Sequence, residues 1–368
     1  MYLNKLSIDG FRNLSLINFK FDAPVNVFYG NNGQGKTNIV ESIYYLTCTS
    51  SFRTSYFKEL IGYDHDEATV TGEIKTNQRK VKHKVITKKT GKALFINDIA
   101  IKRTSDYIGK INAVCFSPED VMLFKESPSI RRHFLDIELS SLFPVYVKEL
   151  INFQKIIEKR NDLLKGDLID DSLLEIITLK MVETSYEIYK RRKWLLIKLD
   201  EMATAIFKEL TASNHRIKIT YQTYLDEPNK EQYYEKATSL YKRWLSKDKE
   251  KTFTQQGVHK DDFIVYLDNK EIDMYASQGQ QRLISLCLKL AVCEIIAKAC
   301  NDFPLVILDD AFSELDNKKK EALFDYICKK EQVFITCTDY KQIIRKRPSA
   351  RVCLHEIKDG KVIERSFI

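Results

Sequence analysis

Gly30-Asn31-Asn32-Gly33-Gln34-Gly35-Lys36-Thr37 fits the phosphate-loop pattern G-x-x-x-x-G-K-[ST], and the rest of the chain can be interpreted around this stretch. Val25 to Tyr29, directly before it, is a short apolar run that predicts a buried strand. Asn38 to Leu46, directly after it, has the apolar spacing of a helix. A strand, a glycine-rich loop and a helix in this order suit phosphate binding, and they argue against a glycine-rich turn with an unrelated lysine.

The loop predicts a site for a nucleoside triphosphate. Its backbone N–H groups can point at phosphate oxygens, and the following helix N-terminus adds a partial positive charge. Lys36 is expected to reach the β- and γ-phosphates, and Thr37 to supply one ligand of Mg²⁺. We therefore expect nucleotide contacts from Gly30, Asn31, Asn32, Gly33, Gln34, Gly35, Lys36, Thr37 and Asn38.

The composition is that of an ordinary soluble protein with a core of two or three lobes, because 44% of its 368 residues are hydrophobic and 30% are charged. Met1 to Gly10 lacks a signal-peptide pattern, and no apolar run approaches the roughly 18 residues of a membrane span, so we expect a cytoplasmic protein. The eight cysteines include no C-x-x-C pair. Buried, reduced thiols are therefore favoured over a zinc site.

The whole chain has a net charge of +8, and its basic residues cluster in residues 75–92 and again at Lys341, Arg345, Lys346, Arg347 and Arg351. Residues 75 to 92 contain eight Lys or Arg and no acid. Solvated charge on a hairpin is one interpretation, and a contact surface for the phosphates of nucleic acid is the other. The candidate DNA contacts are Lys80, Lys82, Lys84, Lys88 and Lys89.

The pattern of apolar residues predicts three segments. Residues 1–117 are α/β, with strands at Tyr2 to Ile8, Leu16 to Phe21, Ala68 to Ile74, Val81 to Thr87, Lys92 to Ile96 and Ala113 to Phe116. Residues 118–212 have helical spacing and predict an inserted arm. Strands resume in residues 213–368, which form a second α/β lobe.

A helix is predicted to start at Ser127-Pro128, with a serine cap and a proline in the first turn. Arg131 and Arg132 follow closely and oppose the helix dipole. Holding an acidic partner or a phosphate would explain them, and structural salt bridges explain them equally well.

A second candidate anion site precedes Leu283 to Ala299, a helix that is apolar on most of its surface and therefore buried. Ser277 and Gly279 lie at its N-terminus. One nucleotide does not need two such helix ends in one chain, so we expect Ser277 to close over the phosphate loop of a second copy in a symmetric dimer. An ordinary helix cap is the alternative.

The run Leu305 to Leu308 predicts a strand buried on both faces, and two carboxylates follow it. Asp309 is placed to hold Mg²⁺ directly or through water, and Asp310 to orient and deprotonate an attacking water. Val333 to Thr336 predicts a neighbouring buried strand. The expected catalytic residues are thus Asp310, Lys36 and Ser277, and the expected metal ligands are Thr37 and Asp309.

Together these motifs resemble the ATP-binding-cassette heads of DNA-maintenance ATPases, and within that class the chain is similar to the RecF family of bacterial recombination and gap-repair proteins. The resemblance spans the chain and rests on Gly10 to Asn13, Pro118-Glu119, Ser127 to Asp136, Ser277 to Arg282 and Leu308 to Asp316. It implies an α/β head of two lobes with mixed sheets and an inserted helical arm without a long coiled coil. It also assigns nucleotide contacts to Arg12, Gly279, Gln280, Asp316 and Thr338, the last as a sensor of the γ-phosphate.

The resemblance further implies the activity. Each protomer would bind ATP and Mg²⁺, dimerise head to head on DNA, and release the DNA after slow, DNA-stimulated hydrolysis. The family acts with RecR and RecO to help load RecA at gaps, favours duplex DNA or duplex–single-strand junctions, and supports replication recovery and the SOS response.

Three positions depart from related patterns. Glu126 stands where the family usually has Gly, Lys260 replaces an arginine in Gly257 to Asp262, and Asp310 stands where the wider cassette class has Glu. Lys260 cannot make a bidentate arginine contact, which puts the contact of that loop in doubt. The shorter Asp310, which the RecF family itself carries, would suit slow hydrolysis.

Three other functions compete with this one. A transporter's nucleotide-binding subunit usually has an L-S-G-G-Q signature, which this chain lacks. Chromosome-organising or break-repair ATPases carry hundreds of heptad-patterned residues between their lobes, whereas the insertion here is short. A dimer that uses ATP only as a clamp, without meaningful turnover, also fits the motifs.

Overall fold

A computed structural model describes residues 1–166 and 168–368 of the chain. The strands of these residues are β1 (Tyr2–Asp9), β2 (Ile17–Lys20), β3 (Val25–Tyr29), β4 (Glu67–Lys75), β5 (Lys80–Lys88), β6 (Gly91–Ile96), β7 (Ile99–Ile101), β8 (Ala113–Phe116), β9 (Ile217–Gln222), β10 (Asp262–Leu267), β11 (Lys270–Glu271), β12 (Leu305–Asp309), β13 (Val333–Cys337), β14 (Val352–Lys358) and β15 (Lys361–Phe367). The α-helices are α1 (Lys36–Cys48), α2 (Met122–Lys125), α3 (Pro128–Leu142), α4 (Pro144–Lys165), α5 (Asp171–Thr211), α6 (Lys230–Lys251), α7 (Ile272–Tyr275), α8 (Gln278–Cys300) and α9 (Asn317–Ile327).

The predicted strands and the helix after the phosphate loop are confirmed, with end points shifted by a few residues. Helix α3 begins at Pro128, as predicted. The predicted serine cap is wrong in detail, because the Ser127 hydroxyl lies 2.6 Å from the Ser129 hydroxyl and makes no cap hydrogen bond. Strands β7, β11, β14 and β15 were not predicted.

The chain forms two compact units. The first unit comprises Met1–Met122, Met202–Arg216 and Ala276–Ile368, and the second comprises Leu123–Glu201 and Ile217–Tyr275. Helix α5 contributes residues to both.

Two six-stranded sheets make up the first unit. One is antiparallel, in the order β2-β1-β4-β5-β6-β7, and the other has the order β15-β14-β3-β13-β12-β8, with only β15 antiparallel. Helix α1 contacts both sheets, and its apolar side chains share one core with residues of both. Every residue of β12 and β13 is buried, as predicted for strands covered on both faces.

This division differs from the predicted segments 1–117, 118–212 and 213–368. Strand β3 pairs with β13 on one side and β14 on the other, so the two ends of the chain build one sheet. Residues 217–275 belong instead to the second unit with most of the helical insertion. The physical reason is that a strand buried on both faces needs hydrogen-bonded neighbours on both edges, whichever part of the sequence supplies them.

The second unit combines helices α3, α4 and α6 and part of α5 with the antiparallel sheet β11-β10-β9. Its interior is rich in aromatic side chains that contact one another, including Tyr186, Tyr189, Tyr221, Tyr224, Tyr233 and Tyr241. As expected, the described residues form no long coiled coil.

No described helix has the length and apolar character needed to cross a membrane. All eight cysteines are free thiols, and seven of them are buried.

An ion pair in the second unit yields a stability prediction. Arg160 Nη1 lies 2.8 Å from Asp248 Oδ2, and each side chain is 1% exposed. Asp248→Ala would leave a buried guanidinium without its counter-charge, so we expect the free energy of unfolding to fall by about 3–5 kcal/mol. The measurement is urea unfolding followed by tryptophan fluorescence, because Trp194 and Trp244 both lie in the second unit.

The matched control is Asp171→Ala, which removes an exposed partner of Lys249. We expect that change to cost less than about 1 kcal/mol, because an exposed ion pair contributes little. Equal losses for the two variants would contradict the prediction.

Candidate nucleotide site

The phosphate loop connects β3 to α1 at the positions that the sequence predicts. At Gly30 the backbone has a φ of 139°, and a Cβ built there would lie 2.4 Å from the carbonyl oxygen of Ile357, so this position requires glycine. The turn after β14 supports the loop. Asp359 N–H donates to Gln34 Oε1 at 2.7 Å, and Gly360 N–H donates to Gln34 O at 3.0 Å.

Lys36 is buried beneath this loop. Its Nζ donates to Gly30 O and Asn31 O, each at 2.7 Å. Burial lowers the pKa of Lys36, and the nearby Cys337, Asp309 and Asp310 act in the opposite direction. The ammonium is therefore held on the inner side of the loop, where phosphate-loop lysines meet phosphate oxygens.

Asp309, the last residue of β12, is hydrogen-bonded to residues of α1 and β13. Thr37 Oγ1, in the first turn of α1, donates to Asp309 Oδ1 at 2.8 Å, and Thr336 Oγ1, in β13, donates to the same oxygen at 2.6 Å. Burial raises the pKa of Asp309, and these two hydrogen bonds oppose that rise. Hydroxyl and carboxylate oxygens are ligands that Mg²⁺ prefers, so the donor set fits the predicted metal.

Asp310 follows with an unusual backbone conformation. Its φ of 48° lies in the left-handed region, which few non-glycine residues adopt. The Asp310 N–H donates to Thr336 Oγ1 at 3.0 Å, and its carbonyl accepts from Arg282 Nη2 at 2.5 Å and from Ser313 Oγ at 3.1 Å. Both ends of this residue's backbone are thus held by neighbouring side chains.

These groups surround one cavity of about 350 Å³. Its lining residues are Asn32, Gly33, Gln34, Gly35, Lys36, Thr37, Asn38, Arg53, Pro118, Asp309, Asp310, Thr336, Cys337 and Thr338. The structure therefore brings together most of the phosphate loop, both predicted acids and Thr338.

Four lining residues, Arg53, Pro118, Thr336 and Cys337, were not among the predicted site residues. Arg53 lies in the polar stretch after α1, where a lone arginine has no diagnostic pattern, and its Nη1 donates to Asn38 Oδ1 at 2.7 Å. Thr336 was assigned only to a strand. A hydroxyl at the end of an aliphatic strand next to the Asp309 strand was the available signal.

Arg12, predicted to contact nucleotide, lies in an adjoining pocket of about 450 Å³ that also includes Asn38 and Arg53. Its Nε and Nη2 donate to the two carboxylate oxygens of Glu41 at 3.1 and 2.7 Å, and Glu41 is fully buried. Arg12 is therefore held beside the cavity.

Ser277 precedes α8 and forms a capping box with Gln280. Gln280 N–H donates to Ser277 Oγ at 3.3 Å, and Ser277 N–H donates to Gln280 Oε1 at 2.9 Å. The ordinary cap is therefore present. Ser277, Gly279 and Gln280 are exposed and, within the described chain, line no part of the cavity. Asp316 is likewise exposed and caps α9.

In the second unit, the structural interpretation of the paired arginines is confirmed. Arg131 Nε and Nη2 donate to the two oxygens of Asp262 at 2.6 and 2.8 Å. Arg132 Nη1 donates to Asp261 O at 2.9 Å, and Tyr221 donates to Asp261 Oδ2 at 2.5 Å. The acids of the Gly257 to Asp262 loop thus have partners within the fold.

Acids that lie outside residues 75–92 in the sequence partly neutralise the basic residues of the hairpin β4–β5. Ion pairs join Lys82 to Asp98 at 2.9 Å, Lys88 to Glu67 at 3.2 Å and Lys89 to Asp66 at 3.3 Å. Lys84 Nζ lies 5.7 Å from the centre of the Phe95 ring. The count of charges along the sequence overstated the free positive charge, because it omitted acids that tertiary structure brings to the hairpin.

Known proteins are similar to this chain in sequence and in fold. A family model described as RecF/RecN/SMC N terminal domain matches residues 2–136 and 190–358. The DNA replication and repair protein RecF of Lactobacillus acidophilus is 35% identical over 359 residues, covering 95% of this chain and 96% of that protein. RecF of Halalkalibacterium halodurans is 34% identical over 366 residues, covering 98% of each protein.

Solved structures are also similar to this chain. The recombination mediator protein RecF in complex with ATP, of the RecFOR pathway, matches with a TM-score of 0.90 at 32% identity and covers 99% of both chains. The Smc head domain from Pyrococcus furiosus, at 15% identity and a TM-score of 0.56 over 100% of this chain and 96% of that one, supports the head fold alone. The family model and the near-complete matches at 34–35% identity lead to one conclusion, that this chain belongs to the RecF family.

Proposed function

We propose that this chain is an ATP-dependent DNA-binding protein of recombinational gap repair, replication recovery and the SOS response. The observation that carries the proposal is that the residues predicted to bind nucleotide lie in two separate places. Lys36, Thr37, Asp309 and Asp310 surround one cavity, while Ser277 lies exposed on a helix end outside it. Such a chain holds half of a composite site.

The chemistry follows from the residues around the cavity. Loop N–H groups and Lys36 hold the phosphates, and Thr37 and Asp309 hold Mg²⁺, which neutralises phosphate charge when bound. Asp310 accepts a proton from water as the water oxygen attacks the γ-phosphorus and the bond to the ADP oxygen breaks. The products are ADP and phosphate. We propose that this turnover is slow and DNA-stimulated, since the short Asp310 side chain has limited reach, and that Thr338 senses the γ-phosphate.

A second copy completes the site in this proposal. Its Ser277, Gly279 and Gln280 reach the phosphates of the first chain, and Asp316 lies near the same interface. Gly279 supports this arrangement, because it lies in the exposed first turn of α8 and a Cβ built there would meet no atom beyond its chain neighbours and the backbone of its own helix. A residue without a side chain leaves room at this helix end for the close approach of a second chain.

DNA binding and the partners follow from the family. The RecF structure named above is of a protein of the RecFOR pathway. We propose that this chain holds duplex DNA or duplex–single-strand junctions in the cytoplasm, and that it acts with RecR and RecO before RecA loading. Arg12, held by Glu41 next to the cavity, is proposed to contact the nucleotide from the adjoining pocket.

A dimer in which ATP serves only as a clamp is the second candidate. It is favoured by the short side chain of Asp310, which stands where the wider cassette class has Glu and limits the reach toward an attacking water. Measuring ATP turnover alongside dimer formation separates the two candidates, because a clamp forms the dimer without releasing phosphate.

Lys36→Ala is expected to abolish ATP-dependent dimerisation, because Lys36 is the buried cation of the phosphate loop. Sedimentation with and without ATP and short duplex DNA measures both dimer formation and DNA binding. Lys298→Ala, which removes an exposed lysine at the far end of α8, is the control and should sediment like the unchanged protein. An ATP-driven dimer of Lys36→Ala would exclude the assignment.

Ser277→Arg is expected to preserve ATP binding by the monomer and to block pairing, because the bulky cation would lie where the two chains meet. Equilibrium binding of a fluorescent ATP analogue and light scattering measure the two effects separately. Normal dimerisation of the variant would refute the proposed geometry, and loss of nucleotide binding would indicate that Ser277 acts within its own chain.

Lys80→Gln with Lys84→Gln is expected to weaken DNA binding and to reduce its salt dependence by about one slope unit per lost phosphate contact. In the described part of the chain neither side chain forms an ion pair, whereas Lys82, Lys88 and Lys89 each pair with an acid. The measurement is fluorescence anisotropy of labelled duplex DNA at several salt concentrations.

The matched control changes Lys88 and Lys89 to Gln. Both already pair with acids, so a smaller change in the slope is expected. An unchanged slope for the Lys80 and Lys84 variant would leave the hairpin as solvated surface charge.

A further inference from the structure

We infer that Arg282 is a positioning residue that couples the two nucleotide sites of the dimer, and this inference rests on the proposed function. In that function, the N-terminal end of α8 serves the nucleotide of the partner, whereas Asp310 serves the nucleotide of its own chain. Arg282 joins these two parts within one chain.

The contacts of Arg282 connect the helix end to the catalytic loop. Its Nη2 donates to the Asp310 carbonyl at 2.5 Å and to Ser313 Oγ at 3.1 Å, and its Nη1 pairs with Glu314 at 3.1 Å. Ser313 Oγ itself donates to the Asp310 carbonyl at 3.1 Å. One guanidinium therefore holds both the backbone of Asp310 and the residues that follow it.

The residues at the start of α8 differ sharply in their exposure to solvent. Ser277, Gly279 and Gln280 are exposed, whereas Arg282 is 5% exposed. The distance between the exposed end and Arg282 is short, since five residues of helix rise by roughly 7.5 Å. The remainder of α8 is mostly buried, so the helix responds as a rigid element when its end is engaged.

The backbone of Asp310 is the element that such a shift can change. Its left-handed φ of 48° is sparsely populated for a residue with a side chain and depends on the surrounding hydrogen bonds. Thr336 holds the N–H side from within the nucleotide cavity, and Arg282 holds the carbonyl side from α8. A small movement of α8 therefore changes the direction in which the Asp310 carboxylate points.

Arg282 is also poorly explained as a purely stabilising residue. Its Nε–H is buried and has no acceptor among the described residues, which is unfavourable for a buried donor. A buried arginine with an unsatisfied N–H is more easily understood as a functional compromise than as a contribution to stability.

Mixed dimers can test whether Arg282 acts on the Asp310 of its own chain or on the site of the partner. Asp310→Asn abolishes proton acceptance at one site and keeps a side chain that tolerates the left-handed backbone. When a catalytic chain is mixed with a large excess of the Asp310→Asn chain and ATP, nearly all catalytic chains lie in mixed dimers with a single working site. Arg282→Gln is then placed either in the catalytic chain or in the Asp310→Asn chain.

In the catalytic chain, Arg282→Gln is expected to lower turnover about tenfold or more, as is typical when a group that orients a catalytic residue is lost. In the Asp310→Asn chain it should leave turnover nearly unchanged, because the working Asp310 keeps its own Arg282. Sedimentation in ATP should detect the dimer in both arrangements. Lys298→Gln in the catalytic chain, which neutralises an exposed lysine of the same helix, should have no effect.

A role limited to shaping the Ser277 end for the site of the partner predicts a different outcome. If Arg282→Gln only damages the Ser277 end, turnover falls when the change is in the Asp310→Asn chain, because that chain's α8 closes the working site. That result, or equal losses in both arrangements, overturns the inference alone. A control dimer that forms but has no turnover without any Arg282 change overturns the proposed hydrolysis by Asp310, and the inference with it.

Discussion

The hydrogen bonds that two threonine hydroxyls donate to one buried oxygen of Asp309 are the interaction on which the site depends. A carboxylate at the end of a fully buried strand is unfavourable unless hydrogen bonds replace its hydration. Thr37 and Thr336 supply those bonds from α1 and β13. They also fix the distance between the phosphate loop and the strand of Asp309, so the stability of the carboxylate and the placement of a metal ligand have the same cause.

The order of strands in the parallel sheet explains why residues so distant in sequence form this site. Strand β3 leads into the phosphate loop, and its neighbours β13 and β14 come from the other end of the chain. All carboxyl ends of these parallel strands lie at one edge of the sheet, where nucleotides bind in such folds. The site therefore requires the whole first unit, and neither predicted α/β lobe could build it alone.

The arginine side chains in this protein differ in the groups to which they donate hydrogen bonds. Arg12 is paired with Glu41 and Arg131 with Asp262, so each of these half-buried guanidinium groups faces a carboxylate in bidentate geometry. Arg282 differs, since it pairs with only one oxygen of the exposed Glu314, donates to the Asp310 carbonyl, and has no acceptor for its Nε–H among the described residues. Pairing of this kind decides which basic residues remain available for a ligand, and it cannot be judged from charge along the chain.

The sequence by itself determined the phosphate loop, the paired acids, the capped helix at Ser277 and most of the strands. These features depend on local rules, because glycine spacing, apolar runs and helix caps act over a few residues. The tertiary structure alone decided the division into units, the hydrogen bonds of Asp309, the contribution of Arg53 and the neutralisation of Lys82, Lys88 and Lys89. Each of these depends on strand pairing between distant segments, and the pairing partner of a buried strand leaves no mark in the sequence of that strand itself.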